Sequence, residues 1–250
     1  MSWTETVSLS FLARHEEGDE ESAERVLDEL EDLRLRLEER FDEAPGEITV
    51  VIHPTAAWLA AAHPFLPAAR IAAAPSSRRY LAGWATATEL HTLTDPVLES
   101  RAAGEDSQRA LLGTAGRLYA QLVLAANNDG IPPPWGPRAF SRYLRWAWLI
   151  EGGAQYFAGH VPLFRSAVAR RVAEGRPPAF PPSARDAITL GGTILDLLDR
   201  EVGRDACELL VSRLRRDGPI AALELAFGVD IGVIEGAWRT HLKVFAHERL

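Results

Sequence analysis

The sequence predicts an α+β fold: a small mixed sheet in the amino-terminal part, with its own helices, packed against a mainly helical carboxy-terminal body. Three observations predict it. Alternating and β-branched runs are confined to the first hundred residues, apolar residues three and four apart fill most of the remainder, and proline and glycine clusters separate the segments. Ser8, Ser10 and Leu12 alternate with Leu9, Phe11 and Ala13, the period of a short opening strand. Gly18 and Asp19 open a helix in which Ala23, Val26, Leu27, Leu30, Leu33, Leu37 and Phe41 form one apolar stripe, and Pro45-Gly46 stops it. Ile48 to His53 is a β-branched run closed by Pro54, which predicts an interior strand. An alanine-rich helix follows from Thr55, and Pro64 and Pro67 predict a loop. Arg79 to Trp84 and Glu89 to Leu93 are two further strand candidates, and Asp95-Pro96 has the N-cap and N1 chemistry of a new helix.

Helices dominate from there. Ser107 to Asn127 is one, kinked near Gly113-Thr114 and ended by Asn127-Asn128-Asp129-Gly130 and Pro132, Pro133 and Pro134. Arg138 to Phe157 is aromatic-rich, His160 to Ala173 is amphipathic and basic, and Arg176 to Pro182 is a proline-rich loop. Gly191-Gly192 lacks the lysine and spacing of a phosphate loop, so it is taken as a helix start with Thr193 as N-cap and the helix running to Val202. Arg204 to Arg215, Pro219 to Phe227 and Ile231 to Phe245 complete the chain. The lobe with the sheet covers residues 1–106 and the helical lobe 107–250, read together as one continuous domain.

Composition narrows the function classes. The 250 residues are 47% apolar and 25% charged, ordinary for a globular chain, and the net charge of −8 argues against general binding to nucleic acid or an anionic membrane. The acids between Glu16 and Glu47 are the wet face of the first helix. Residues Met1 to Ala13 have no basic stretch leading into an apolar run, and no apolar run reaches the ~18 residues a membrane span needs, so a cytoplasmic protein is expected. Cys207 is the single cysteine and sits among Ala206, Leu209, Leu210 and Val211, which predicts a buried thiol rather than a nucleophile.

One carboxylate stands in an otherwise apolar helical run: Trp148-Leu149-Ile150-Glu151-Gly152-Gly153-Ala154-Gln155-Tyr156-Phe157-Ala158-Gly159. This run resembles the W-L-x-E-G-x-A-x-Y-x-x-G segment of the gluzincin metallopeptidases, the peptidase MA-like proteins. Ala82-Gly83-Trp84 before a threonine-rich strand, the apolar helix Leu118 to Asn127, and the closing stretch Gly192-Thr193-Ile194-Leu195, Phe227-Gly228 and Trp238 to Leu242 are similar to the family's in order and spacing. The resemblance implies a gluzincin-like fold with Glu151 at the place of the third zinc ligand. It also implies that the centre has been emptied. The family's H-E-x-x-H helix falls on Leu118 to Ala125, with Ala120 and Leu124 where the two histidines would stand and Gln121 where the general base would. Methyl and isobutyl groups offer zinc no lone pair, and Gln121 cannot accept a proton near neutral pH. The family's transition-state tyrosine or histidine, placed by the resemblance near Asp186 to Leu190, has no counterpart, and no histidine lies between His91 and His160.

The expectation is therefore a catalytically degenerate metallopeptidase-like protein without catalytic residues, metal ligands or cofactor, retaining a cleft for a peptide or protein partner. Its vestigial cleft is expected to use Glu151, Gln121, Tyr119, Gln155, Tyr156, His91 and Trp84, with Asn127 and Asn128 as further polar edges and Trp135, Trp146 and Trp148 as walls. The strand Glu89 to Leu93 would serve as an exposed edge for an extended peptide. Two alternatives stand beside it: a metal-dependent hydrolase with a rebuilt centre of Glu151 with His91 or His53, and a purely structural protein in which Arg142 or Arg145 holds Glu151 as an ion pair. Arg78-Arg79, the run Arg165, Arg170, Arg171 and Arg176, and Arg213, Arg215 and Arg216 read equally as solvated faces or as acid-binding patches.

Overall fold

A computed structural model describes residues 2–63 and 65–247. The chain opens with a hairpin, β1 (Trp3–Val7) and β2 (Phe11–Glu16), paired antiparallel from Trp3 opposite Glu16 to Val7 opposite Leu12. The single strand expected across Ser8 to Ala13 is thus two strands with a turn where polar residues alternate. Ser8 Oγ and the Ser10 N–H both donate to Glu31 Oε1 at 2.6 Å, so these residues tie the turn to a helix and do not extend a ladder.

That helix, α1 (Glu20–Glu38), buries Ala23, Val26, Leu27, Leu30, Leu33 and Leu37, the stripe the sequence shows. β3 (Ile48–His53) then runs parallel to β2 and brings its β-branched residues inside. Two short helices follow, α2 (Ala56–Ala62) and α3 (Phe65–Ala72). Pro67 lies in the first turn of α3, where a missing N–H costs no helical bond, so it does not enforce the expected loop; Pro64 lies outside the described residues. Arg78–Tyr80 is a single 3-10 turn, and the strand expected over Arg79 to Trp84 reduces to two residues, β4 (Trp84–Ala85). β5 (Glu89–Leu93) pairs parallel with β3 and antiparallel with β4, giving a five-stranded mixed sheet in the order β1-β2-β3-β5-β4.

α4 (Asp95–Glu99) has Thr94 rather than Asp95 at its N-cap. The kink at Gly113 separates α5 (Glu105–Leu112) from α6 (Thr114–Ala126). α6 is buried from Thr114 to Leu124 and lies between the sheet, α1 and α7 (Pro137–Phe157). After a 3-10 turn, Val161–Phe164, come α8 (Arg165–Ala173), α9 (Ala187–Glu201), α10 (Arg204–Ser212), α11 (Pro219–Phe227) and α12 (Ile231–His247). Gly191 and Gly192 are inside α9, not at its start. A Cβ on Gly152 of α7 would stand 2.3 Å from the Gly191 carbonyl carbon, and one on Gly191 would stand 2.3 Å from the Trp148 carbonyl oxygen. The glycines are there so that two helix backbones can touch, and α7 therefore runs unbroken through Gly152-Gly153.

A core cluster joins sheet and helices: Phe11, Val50 and Leu90 belong to the same packed group as Leu118, Ile150, Ile194 and Trp238. A smaller group under α2 and α3 holds Leu59, Leu66, Tyr80, Leu93, Leu111 and Phe164. Cys207 is fully buried and its thiol is pushed up to about 12 by that burial, as a structural cysteine requires. Among the described residues no helix is long and apolar enough to cross a membrane.

Candidate functional site

Glu151 lies on the inner face of α7, 7% exposed, between Ile150 and the contact of α7 with α9. A carboxylate so placed needs a partner. It finds two. Arg117 of α6, itself 4% exposed, donates from Nη1 to Glu151 Oε2 at 2.8 Å, and Tyr143, two turns earlier on α7, donates from its hydroxyl to Oε1 at 2.8 Å. Burial first, and then the Glu151 charge and hydrogen bond, raise the Tyr143 phenol well above its ordinary value, so it remains a donor.

Arg117 replaces both arginines expected to hold Glu151. Arg142 instead donates to the Asp129 carbonyl, and Arg145 packs beside Gly218. The helical register also differs from the expectation. Arg117 and Gln121, at i and i+4, share the pocket with Glu151, whereas Ala120 and Leu124 are buried in the core. Gln121 donates from Nε2 to the Pro132 carbonyl at 2.9 Å, which fixes the loop after α6 over the site.

The ion pair forms one wall of a cavity of about 300 Å³. Its lining is mainly apolar: Leu66 and Ala69 of α3, Trp84 and Ala85 of β4, Leu118 of α6, Trp135, Phe140 and Leu144 around the start of α7, and Ile188 of α9, with exposed Arg185 at its border. Trp135 donates its indole N–H to the Ala85 carbonyl at 2.8 Å and packs on Trp84 with ring centroids 4.7 Å apart, so the loop after α6 is latched to the short outer strand.

Of the seven residues expected in the cleft, Glu151, Gln121 and Trp84 line the cavity and the other four do not. Tyr119 donates to the Pro45 carbonyl, Gln155 to the Ile188 carbonyl and Tyr156 to Asp199 Oδ2, each fastening one element to another. His91 is in the sheet beside His53. Asn127 and Asn128 cap loop and helix carbonyls, including those of Glu43 and Val211, and Trp146 and Trp148 are core. β5 is also not the exposed edge: Trp84 and Ala85 of β4 cover its outer side at His91 and Leu90, and Leu90 to Leu93 are buried.

The two histidines of the rebuilt-centre alternative do meet. His53 Nε2 lies 3.1 Å from His91 Nδ1, and His91 Nε2 lies 3.3 Å from Glu89 Oε2. If His91 donates to that carboxylate, its Nδ1 accepts from His53, and the His53 Nδ1 lone pair is left in a buried position without a partner. His63, at the end of α2, adds a third ring 4.1 Å from His91. Burial lowers both His53 and His91 to about 4, with further lowering by neighbouring histidines, so both rings are neutral at pH 7. Glu151 does not join them, since its two oxygens are taken by Arg117 and Tyr143. Among the described residues no group of three or more His, Cys, Asp or Glu side chains is placed to hold a metal ion.

Arg117, Tyr143 and His63 are the site residues that the sequence pattern does not single out. A signal existed for the first: Arg117 is the charged residue within an otherwise uncharged helix, α6, in the same way that Glu151 stands out in its own run. Comparisons of the chain with protein-family models, with curated proteins and with solved structures gave no match.

Proposed function

We propose that this chain is a peptidase-like scaffold without zinc chemistry, whose cavity receives an apolar side chain of a peptide or protein partner. The observation that carries this reading is the Arg117–Glu151 pair beside an apolar cavity. Two side chains at i and i+4 of one helix and a carboxylate from the next helix are the arrangement that, with two histidines, would hold a catalytic zinc. Here the pair is arginine and glutamine. The guanidinium supplies the positive charge that the buried carboxylate requires, and neither Arg117 nor Gln121 is a base at neutral pH. Both oxygens of Glu151 already accept hydrogen bonds, which leaves no free base to activate water.

The cavity volume is at the lower end of the ~300 to 1,000 Å³ of ligand pockets and suits one or two bulky apolar side chains rather than a long extended substrate. Its aromatic wall of Trp84 and Trp135 supports the same reading.

The test is a displayed peptide library selected on the purified protein, with the selected peptides then titrated against wild type and Ala69→Phe. Ala69 lines the cavity, and a phenyl ring there would fill it. Apolar peptides that bind wild type and lose about tenfold or more affinity with the variant support the proposal. Peptides that bind both proteins equally, or about one equivalent of tightly held zinc in chelator-free protein, overturn it.

A further inference from the structure

Arginines gather around the turn that follows α3, and among the described residues none of them meets an acid. Arg70 is in the last turn of α3, Arg79 is in the 3-10 turn Arg78–Tyr80, and Arg101 follows α4. Arg101 Nη2 donates to the Arg79 carbonyl at 2.9 Å and Arg79 Nη1 donates to the Arg101 carbonyl at 3.4 Å, so the two side chains cross each other's backbone. Arg70 Nε donates to the Leu81 carbonyl at 2.8 Å, two residues beyond Arg79, and its Nη2 is buried with no hydrogen-bond partner. Arg78, exposed beside them, donates to the Ala73 carbonyl.

The contrast with other buried arginines is what makes this cluster informative. The chain has 35 acids against 27 bases, and Arg25 takes Asp95, Arg117 takes Glu151 and Arg171 takes Asp186. Among the described residues Arg70, Arg79 and Arg101 have no carboxylate in hydrogen-bond or ion-pair contact. Burial, and then the charges of Arg70 and Arg79, lower Arg101 to about 10, so the Arg101 guanidinium lies within reach of two uncancelled positive charges. Carbonyl partners hold the guanidiniums in place but do not cancel their charge.

We propose that Arg70, Arg79 and Arg101 form a binding site for a phosphate group, as the free ion or a small monoester. Three guanidiniums held by carbonyls on three neighbouring segments offer more donors than a single flat carboxylate can take, and a tetrahedral oxyanion has the acceptor oxygens to use them. A dianion also removes the repulsion that the protein leaves uncompensated. Arg70 Nη2 has no hydrogen-bond partner, so its donors are left unused by the protein.

The experiment is calorimetric titration of the full chain with sodium phosphate and with phenyl phosphate, at ionic strength held constant with sodium chloride. Saturable binding with one site per chain is expected, and Arg101→Gln or Arg79→Gln should weaken it about tenfold or more, the loss of one charge-assisted contact. Arg101→Lys keeps the charge and should retain part of the affinity, and Arg14→Gln, a change at an exposed arginine of β2, three strands from β4, should leave it unchanged. If circular dichroism shows that Arg101→Gln does not fold, Arg70→Gln gives the same comparison. Tighter binding of phenyl phosphate supports the monoester, and tighter binding of inorganic phosphate supports the free ion. Absence of saturable binding, or equal affinity in wild type and the folded cluster variants, overturns the proposal.

Discussion

Removing the Glu151 side chain separates a structural carboxylate from an incidental one. Glu151→Ala takes away both hydrogen bonds at 2.8 Å and leaves the Arg117 guanidinium charged with only about 5% of its side-chain surface exposed. Breaking a buried pair from one side costs ~3 to 5 kcal/mol, because the remaining charge is uncompensated. Glu151→Gln keeps an acceptor for the Tyr143 hydroxyl and loses mainly the charge, so a smaller cost of about 2 kcal/mol is expected. Arg117→Met with Glu151→Leu removes both charges together and should recover most of the loss, giving a coupling of about 3 kcal/mol in the double-mutant cycle. The assay is urea unfolding followed by circular dichroism, in which the alanine variant should lower the midpoint by about 1 M or more with an unchanged slope. A loss for Glu151→Ala below about 1 kcal/mol, or single-variant costs that simply add, would show that the pair does not hold α6 to α7 and refute the reasoning.

Three further outcomes follow from other contacts. Gly152→Ala should cost about 3 kcal/mol in the same unfolding assay, because its Cβ meets the α9 backbone at 2.3 Å, whereas Gly136→Ala, with nothing within 4 Å, should be near neutral; equal effects would disprove the backbone contact. Burial, then the charges of Arg117 and Arg36, lower His160 to about 4, so the unfolded chain binds the proton first as pH falls. Its contribution is complete above about pH 6.5 and is lost between there and pH 4, by up to ~3 kcal/mol. Glu29, 3.8 Å away, has its carboxyl raised by burial and acts in the opposite sense, so the His160 part is read as the difference between wild type and His160→Gln at pH 7.5 and pH 5. No difference would remove His160 as a source of acid sensitivity. Finally, Arg117→His with Gln121→His should create a site for one zinc ion with Glu151, measured by metal analysis and calorimetry; metal content no higher than wild type would mean that the three side chains do not converge as a ligand set.

What could be read without coordinates follows from how far each signal extends along the chain. The long helices were legible because their apolar stripes repeat over several turns, and the break at Gly113 because glycine and threonine interrupt one of them. α3 was not, because Pro64 and Pro67 carry loop signals although proline in a first turn is harmless. Gly191 was misplaced because a glycine used for close packing looks in sequence like one used for a helix end. At the site, Glu151 was legible as a charge in an apolar run, but its partner was sought nearby on the same helix. Arg145 is six residues away and Arg142 nine, about 240° and 180° around a helix, so neither shares its face. The true partner is 34 residues upstream and on a different helix. The edge role of β5 failed for a related reason. A two-residue strand such as β4 has no period to detect, yet it is enough to cover the outer side of its neighbour at Leu90 and His91.

On the proposed reading, the persistence of Glu151 needs no remaining chemistry. A carboxylate on the inner face of α7 cannot lose a neighbouring cation without a cost of several kcal/mol, so a scaffold that gives up a metal ion must lose the acid as well or gain a new positive charge. Arg117 is long enough to supply that charge from one turn before Gln121, and Tyr143 takes the second oxygen. The replacement neutralises the carboxylate for the fold, and on this reading it supplies no hydrolytic chemistry, because a guanidinium neither activates water nor opens a coordination position. What it leaves is the space beside it. The cavity keeps its aromatic wall and its apolar lining from α3, α6, α7 and α9, elements that the ion pair and the Gly152–Gly191 contact hold in register. Variants that weaken the ion pair should therefore lower stability and loosen the cavity wall, while Ala69→Phe should weaken capture of an apolar peptide about tenfold or more with stability intact, and that divergence distinguishes a binding surface from a scaffold.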